Sequence, residues 1–138
     1  MKSFLKAVLF GAVLLTGAVQ SRALDGVVIV NEGVSASSLS ASALKYLYTG
    51  KTTYWEGGQS VVIAFSEKTA AALKDASGMD ASQFKTFWQR LAFSGRGQQP
   101  KKIDDTAALV ALVASTKGAI AIVPADADLK GVKKLEIK

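Results

Sequence analysis

Val61-Val62-Ile63-Ala64-Phe65-Ser66-Glu67-Lys68-Thr69 is a strand handing the chain directly to a helix. The first five residues are apolar and mostly β-branched or aromatic, the composition of a buried strand. Ser66 follows at once, and its hydroxyl suits an amide at the start of a helix running on through Lys68 to Ala76. A strand feeding straight into a helix is the unit from which α/β sheets are built.

The same alternation continues outward in both directions. Upstream, Val27-Val28-Ile29-Val30 is another continuous β-branched run, and after the Ser-rich stretch Val34 to Ser42 a short helix is expected from Ala41 to Tyr48. Ser40 is placed to cap that helix and Gly50 to end it. Trp55-Glu56-Gly57-Gly58 reads as a turn. Downstream, Gly78 breaks a helix and Asp80 or Ser82 caps the next, in which Phe84, Phe87, Trp88 and Leu91 recur at helical spacing as a core-facing stripe. Ser94-Gly95-Arg96-Gly97 with Pro100 is a loop, and Asp104-Asp105 opens a helix that buries Leu109, Val110, Leu112 and Val113 and stops at Gly118. Ala119-Ile120-Ala121-Ile122-Val123 is a third buried strand, and Val132 to Ile137 reads as a last edge strand. The expected fold class is α/β, with a sheet at least partly parallel, flanked by helices, and ligand-accessible loops at the carboxyl ends of its strands.

The N-terminus has a different grammar. Lys2 and Lys6 precede an apolar run from Ala7 to Val19, then Gln20-Ser21-Arg22-Ala23, the layout of a secretory signal with cleavage after Ala23. The run is shorter than the roughly 20 residues a membrane span needs. Residues 1–23 are therefore expected to be a leader, and 24–138 one exported domain with a single core. The chain has no Cys, so an oxidising compartment has nothing to cross-link; a bacterial periplasm fits both features. Lys2, Lys6 and Arg22 supply three of the six net positive charges, leaving a mildly basic remainder of +3. Lys101-Lys102 and Lys130, Lys133, Lys134 and Lys138 form the basic clusters, and their simplest role is a solvated face. With no basic–aromatic interleaving, a nucleic-acid partner is not expected.

Catalytic chemistry is thinly supplied. The chain has no His, so with Cys also absent neither a Ser–His pair nor a thiolate nucleophile can form, and imidazole metal ligation is excluded. The paired acids Asp104-Asp105 and Asp126/Asp128 are best explained by a helix dipole and a turn. No enzymatic activity, metal or cofactor is expected. Anion binding is the chemistry the sequence does offer. Ser66 and Thr69 flank a helix start whose amides point outward with the positive end of the dipole. Ser94, Gly95 and Arg96 add a hydroxyl, a flexible backbone and a guanidinium able to hold two oxygens at once. Glu67 opposes an anion at the first of these places.

In order and spacing these segments resemble the phosphate-binding subunits of ABC transporters, within the type 2 periplasmic binding proteins. The resemblance is carried by Leu44-Lys45-Tyr46-Leu47-Tyr48-Thr49-Gly50-Lys51 with Trp55-Glu56-Gly57-Gly58 and Val61-Val62-Ile63, by Phe87-Trp88 with Phe93-Ser94-Gly95-Arg96-Gly97 and Pro100, and by Val113 with Gly118-Ala119-Ile120-Ala121-Ile122-Val123. It implies a single-lobe periplasmic-binding-protein-like mixed sheet flanked by helices. It also implies phosphate or a related oxyanion as ligand, and an ABC permease or another envelope protein as partner. Such proteins have two lobes, and this chain is long enough for one, so a second copy is one source of the missing wall. Their binding loop reads like Arg-x-x-Gly-Ser-Gly-Thr, where this chain has Phe65-Ser66-Glu67-Lys68-Thr69, so only Ser66 and Thr69 carry over. Ala121-Ile122 likewise stands where the family often has Gly-Tyr.

Two functions remain open at this stage. In one, Ser66, Thr69, Ser94, Gly95 and Arg96 bind an oxyanion. In the other, the lobe has lost its ligand and meets an envelope partner through Tyr46, Tyr48, Tyr54 and Trp55. Convergence of Ser66 and Arg96 at one sheet edge favours the first; divergence, with an exposed aromatic patch, favours the second.

Overall fold

A computed structural model describes residues 24–138. The expected leader 1–23 and its cleavage point lie outside the described residues. The elements are β1 (Val27–Asn31), β2 (Ser38–Leu39), α1 (Ala41–Tyr48), β3 (Val62–Phe65), a single 3₁₀ turn (Glu67–Thr69) leading into α2 (Ala70–Ser77), α3 (Ala81–Phe93), β4 (Lys101–Lys102), α4 (Thr106–Ser115), β5 (Ala119–Val123) and β6 (Val132–Ile137). The six strands form one sheet in the order β2-β6-β1-β5-β3-β4. β1 runs antiparallel to both neighbours, whereas β2 with β6, β3 with β5 and β3 with β4 are parallel pairs. The sheet is mixed, as the α/β reading requires.

Alternation along the strands distributes the core to two faces. Val28, Val30, Ile63, Phe65, Ile120, Ile122 and Leu135 point to the side covered by α1, α2 and α3. Ile29, Ala64, Ala119, Ala121 and Val123 point to the other, where α4 lays Leu109, Val110 and Val113 on them. The helix starts follow their capping chemistry: Ser40 Oγ accepts from the Ala43 amide, Asp105 accepts from the Ala108 amide, and Asp80 with Gln83 makes a reciprocal capping box. The expected aromatic stripe is core. Phe84 and Trp88 are buried, and the Phe84 ring meets Phe65 edge-on at 5.3 Å between centroids.

Three expectations need correction. β6 is not an edge strand, because β2 pairs on its far side. That strand is only Ser38–Leu39, inside a stretch whose small polar residues give no strand signal. β4, equally short, extends the other edge where a loop was expected: Lys101 lies opposite Ala64 and Lys102 opposite Phe65. The helix after Ser66 begins in 3₁₀ geometry and becomes α-helical at Ala70.

Candidate functional site

The carboxyl end of β3 delivers Ser66 and Thr69 as expected, but both face inward. Ser66 is 1% exposed, and its hydroxyl oxygen accepts the Lys68 amide at 3.0 Å. The Thr69 hydroxyl is buried as well and donates to the Ile122 carbonyl of β5 at 3.0 Å. These two hydroxyls fasten the start of α2 to the ends of β3 and β5. The outward amide there has a partner from the protein itself: the Glu67 N–H donates to Asp104 Oδ1 at 3.0 Å. Lys102 then closes the cluster, with its ammonium 3.0 Å from Asp104 and 3.6 Å from Glu67.

The electrostatics follow from those contacts. The amide hydrogen bond from Glu67 is the main cause holding the Asp104 carboxyl below the ordinary carboxylate range, with the Lys102 ammonium beside it adding to the effect. Lys102 is correspondingly raised, first by its hydrogen bond to Asp104. A carboxylate thus occupies the place at the helix start that an oxyanion would use.

The Ser94–Gly97 loop arrives at the other end of β3. β4 runs parallel to β3 with Lys101 beside Ala64, so the residues before β4 lie level with Ser60 and Val61. Val61 and Ser66 are five residues apart, on the order of 15 Å along a strand. Gly95 and Arg96 line a cleft of about 430 Å³ with Thr52, Thr53, Tyr54, Ser60 and Gln98, above Leu47, Ile63 and Trp88. Neither Ser66 nor Thr69 reaches it, and Ser94 lies beside it with its hydroxyl donating to the Leu91 carbonyl. The amides of Ser94, Gly95 and Arg96 all turn back onto the last carbonyls of α3, so this loop contributes side chains and not an amide nest. Among the described residues lining the cleft, Arg96 is the one charged side chain.

The cleft is fixed by tight packing beneath it. A Cβ on Gly97 would lie 2.8 Å from the Trp88 ring, so only glycine lets the loop rest there. Trp88 is anchored by its indole N–H donating to the Tyr48 carbonyl at 3.0 Å. The opposite wall is a hairpin closed by the Tyr54–Ser60 bridge. Trp55 pins it by donating to the Gly118 carbonyl at 2.9 Å, while its neighbour Tyr54 points outward, 62% exposed.

Beyond Tyr54 lies a second hollow of about 410 Å³, lined by Ala36, Leu39, Ala43, Tyr46, Tyr54 and Trp55 together with Ser35, Ser37, Ser38 and Glu56. Tyr46 is 47% exposed and carries the Lys51 ammonium over its ring, 5.4 Å from the centroid. Phe93, at the end of α3, is 95% exposed. Tyr48, by contrast, is buried within the core, so of the four aromatics singled out in the sequence only Tyr46 and Tyr54 are presented outward. The sequence flagged Arg96 and Gly95. It missed Thr52, Thr53, Ser60 and Gln98, whose only signal is that they are polar residues adjoining the two tryptophan segments.

No family model matches the chain, and no curated protein matches it by sequence. Solved structures do match it in shape. An ABC-type phosphate transport receptor from Vibrio cholerae superposes with a TM-score of 0.56 at 18% identity, over 82% of this chain and 46% of its own. A putative phosphate ABC transporter substrate-binding protein with bound phosphate, from Clostridium perfringens, gives 0.54 at 21% identity over 82% and 45%. PstS from Borrelia burgdorferi gives 0.56 at 10% identity over 81% and 46%. The chain has the fold of one periplasmic-binding-protein lobe. It spans less than half the length of these structures, as the resemblance in sequence implied.

Proposed function

We propose that this chain is an exported, non-catalytic, single-lobe solute-binding protein that holds phosphate or a related oxyanion and serves ABC-type uptake. The observation that carries the proposal is Arg96, alone in charge within a polar cleft that has no carboxylate among its described lining residues. Its guanidinium would take two ligand oxygens in parallel, and the hydroxyls of Thr52, Thr53 and Ser60 and the Gln98 amide are further donors on the same cleft. Gly95, at a positive φ of 78°, turns the loop that brings Arg96 there. Ser94 ends α3 beside this site, while Ser66 and Thr69 serve the fold at the opposite end of β3. A periplasmic location follows from the leader read in residues 1–23.

Thermal unfolding against phosphate, sulfate and a panel of small oxyanions at fixed ionic strength tests the proposal. Ligand at about 100 times its dissociation constant stabilises by roughly 2.7 kcal/mol, a shift of several degrees for a domain of this size. The shift should vanish in Arg96→Ala. An unchanged shift in that variant would remove the site.

A second reading, an envelope-interaction lobe without a small ligand, is favoured by two observations. Ser66 and Arg96 diverge to opposite ends of β3, and Tyr46, Tyr54 and Phe93 are exposed. Under this reading no oxyanion shifts the unfolding midpoint. A photo-crosslinker at position 93 then gives one discrete envelope adduct, which Tyr54→Ala abolishes.

A further inference from the structure

The two hollows beside Tyr54 share Leu47, Thr52 and Tyr54 as lining residues, so they adjoin at these side chains as two halves of a groove. Its ends differ in chemistry. At one end Arg96 is joined by Gly95, Gln98, Ser60 and the threonine pair; at the other, Ala36, Leu39, Ala43 and Tyr46 form an apolar wall beside Ser35, Ser37 and Ser38. Each half, at about 430 and 410 Å³, already has the size of a small-molecule pocket. A bare tetrahedral oxyanion on Arg96 would leave the apolar side chains of the Tyr54–Tyr46 half, Ala36, Leu39 and Ala43 among them, against water.

We infer that the groove takes an organic oxyanion, a phosphate monoester or phosphonate whose anionic head lies on Arg96 and whose flat apolar body lies along Tyr54 and Tyr46, an inference that rests on the Arg96 reading above. Charge sets the orientation. Arg96 is the charged lining residue at the polar end, and Glu56 is the one at the apolar end, so the anionic head is directed to Arg96. Lys51, above the Tyr46 ring, leaves a π-system already polarised by a cation at that end. The two tyrosines are exposed and cost little entropy to immobilise, since each has few rotatable bonds.

The groove supplies its own reporter, because both tryptophans of the chain line it, Trp88 under the polar half and Trp55 under the apolar half. Titration of the purified protein with phenyl phosphate, inorganic phosphate and phenol, followed by tryptophan fluorescence and by calorimetry, separates the terms. The expected result is phenyl phosphate binding about tenfold tighter than inorganic phosphate, from the apolar area it covers, with phenol far weaker than either. Tyr54→Ala should bring the two anions to within about threefold of each other. Tyr46→Ala, at a separate exposed position, should do the same in smaller measure and guards against a local folding defect in the hairpin. Equal affinity of the two anions in the wild type would overturn the organic-ligand inference and leave the oxyanion site standing. Absence of binding by either anion would overturn both.

Discussion

The two ends of β3 carry the same kinds of residue and are used differently. At the carboxyl end, hydroxyls, a helix start, a lysine and two acids have all found one another: Ser66 with Lys68, Thr69 with Ile122, Asp104 with Glu67 and Lys102. At the amino end, Arg96 and the hydroxyl-bearing Thr52, Thr53 and Ser60 line open space. A polar group whose partners are built in stabilises the fold, whereas one facing a cleft is free to recognise something else. In an α/β sheet the carboxyl ends of the strands are the usual place for a ligand. Here a carboxylate of the protein itself holds that place, and the open chemistry has moved to the opposite end.

The largest effect should come from beneath the open end. Gly118 sits at a φ of +81°, and a Cβ there would lie 2.0 Å from the Ser60 carbonyl oxygen. Its own carbonyl accepts from both the Trp55 indole and the Val62 amide. Gly118→Ala should therefore cost about 3 kcal/mol or more in denaturant unfolding, from left-handed strain plus the displaced hairpin, and should shift Trp55 fluorescence toward that of an exposed indole.

Thr69→Val tests the closed end. It removes a buried hydroxyl and its hydrogen bond to the Ile122 carbonyl, at a cost of about 1 to 2 kcal/mol, with no change in oxyanion affinity. A loss of affinity would return the site to the carboxyl end. Tyr48 offers a smaller effect of opposite sign. Its phenolic oxygen is buried without a hydrogen-bond partner among the described residues, and burial pushes its pKa well above the ordinary tyrosine value. Tyr48→Phe should stabilise the fold by about 1 kcal/mol, read as an increase in the urea midpoint with the slope unchanged.

The smallest effect concerns pH. The folded-state pKa of Asp104 lies below its unfolded value, so its contribution is present above about pH 4 and is lost as acid protonates the folded carboxylate. Asp104→Asn keeps an acceptor for the Glu67 amide but removes the titration. Its acid limb, measured as midpoint against pH from neutral to strongly acid, should be shallower than that of the wild type. An unchanged limb would mean that the cluster around Lys102 contributes nothing to folding.

Much of this was legible locally. Ser40, Asp80 with Gln83, and Asp105 mark helix starts because capping is a contact between near neighbours in sequence. The runs at Val27, Val61 and Ala119 mark the central strands because a strand buried on both faces admits no polar position. β2 and β4 were illegible for the converse reason: Ser38–Leu39 and Lys101–Lys102 are strands only because a neighbour pairs with them. The composite site failed to assemble on the same account. Which end of the sheet receives the Ser94–Gly97 loop depends on β4 running parallel to β3, a long-range fact absent from the loop's own residues.

The most direct measurement is phosphate affinity by calorimetry on the wild type, Arg96→Ala and Ser66→Ala, under one buffer and ionic strength. A site at the amino end predicts at least a tenfold loss in Arg96→Ala, for removal of a charge-assisted contact. It also predicts no more than a twofold change in Ser66→Ala, which loses only an internal cap. The reverse pattern, affinity retained without Arg96 and lost without Ser66, would contradict the account.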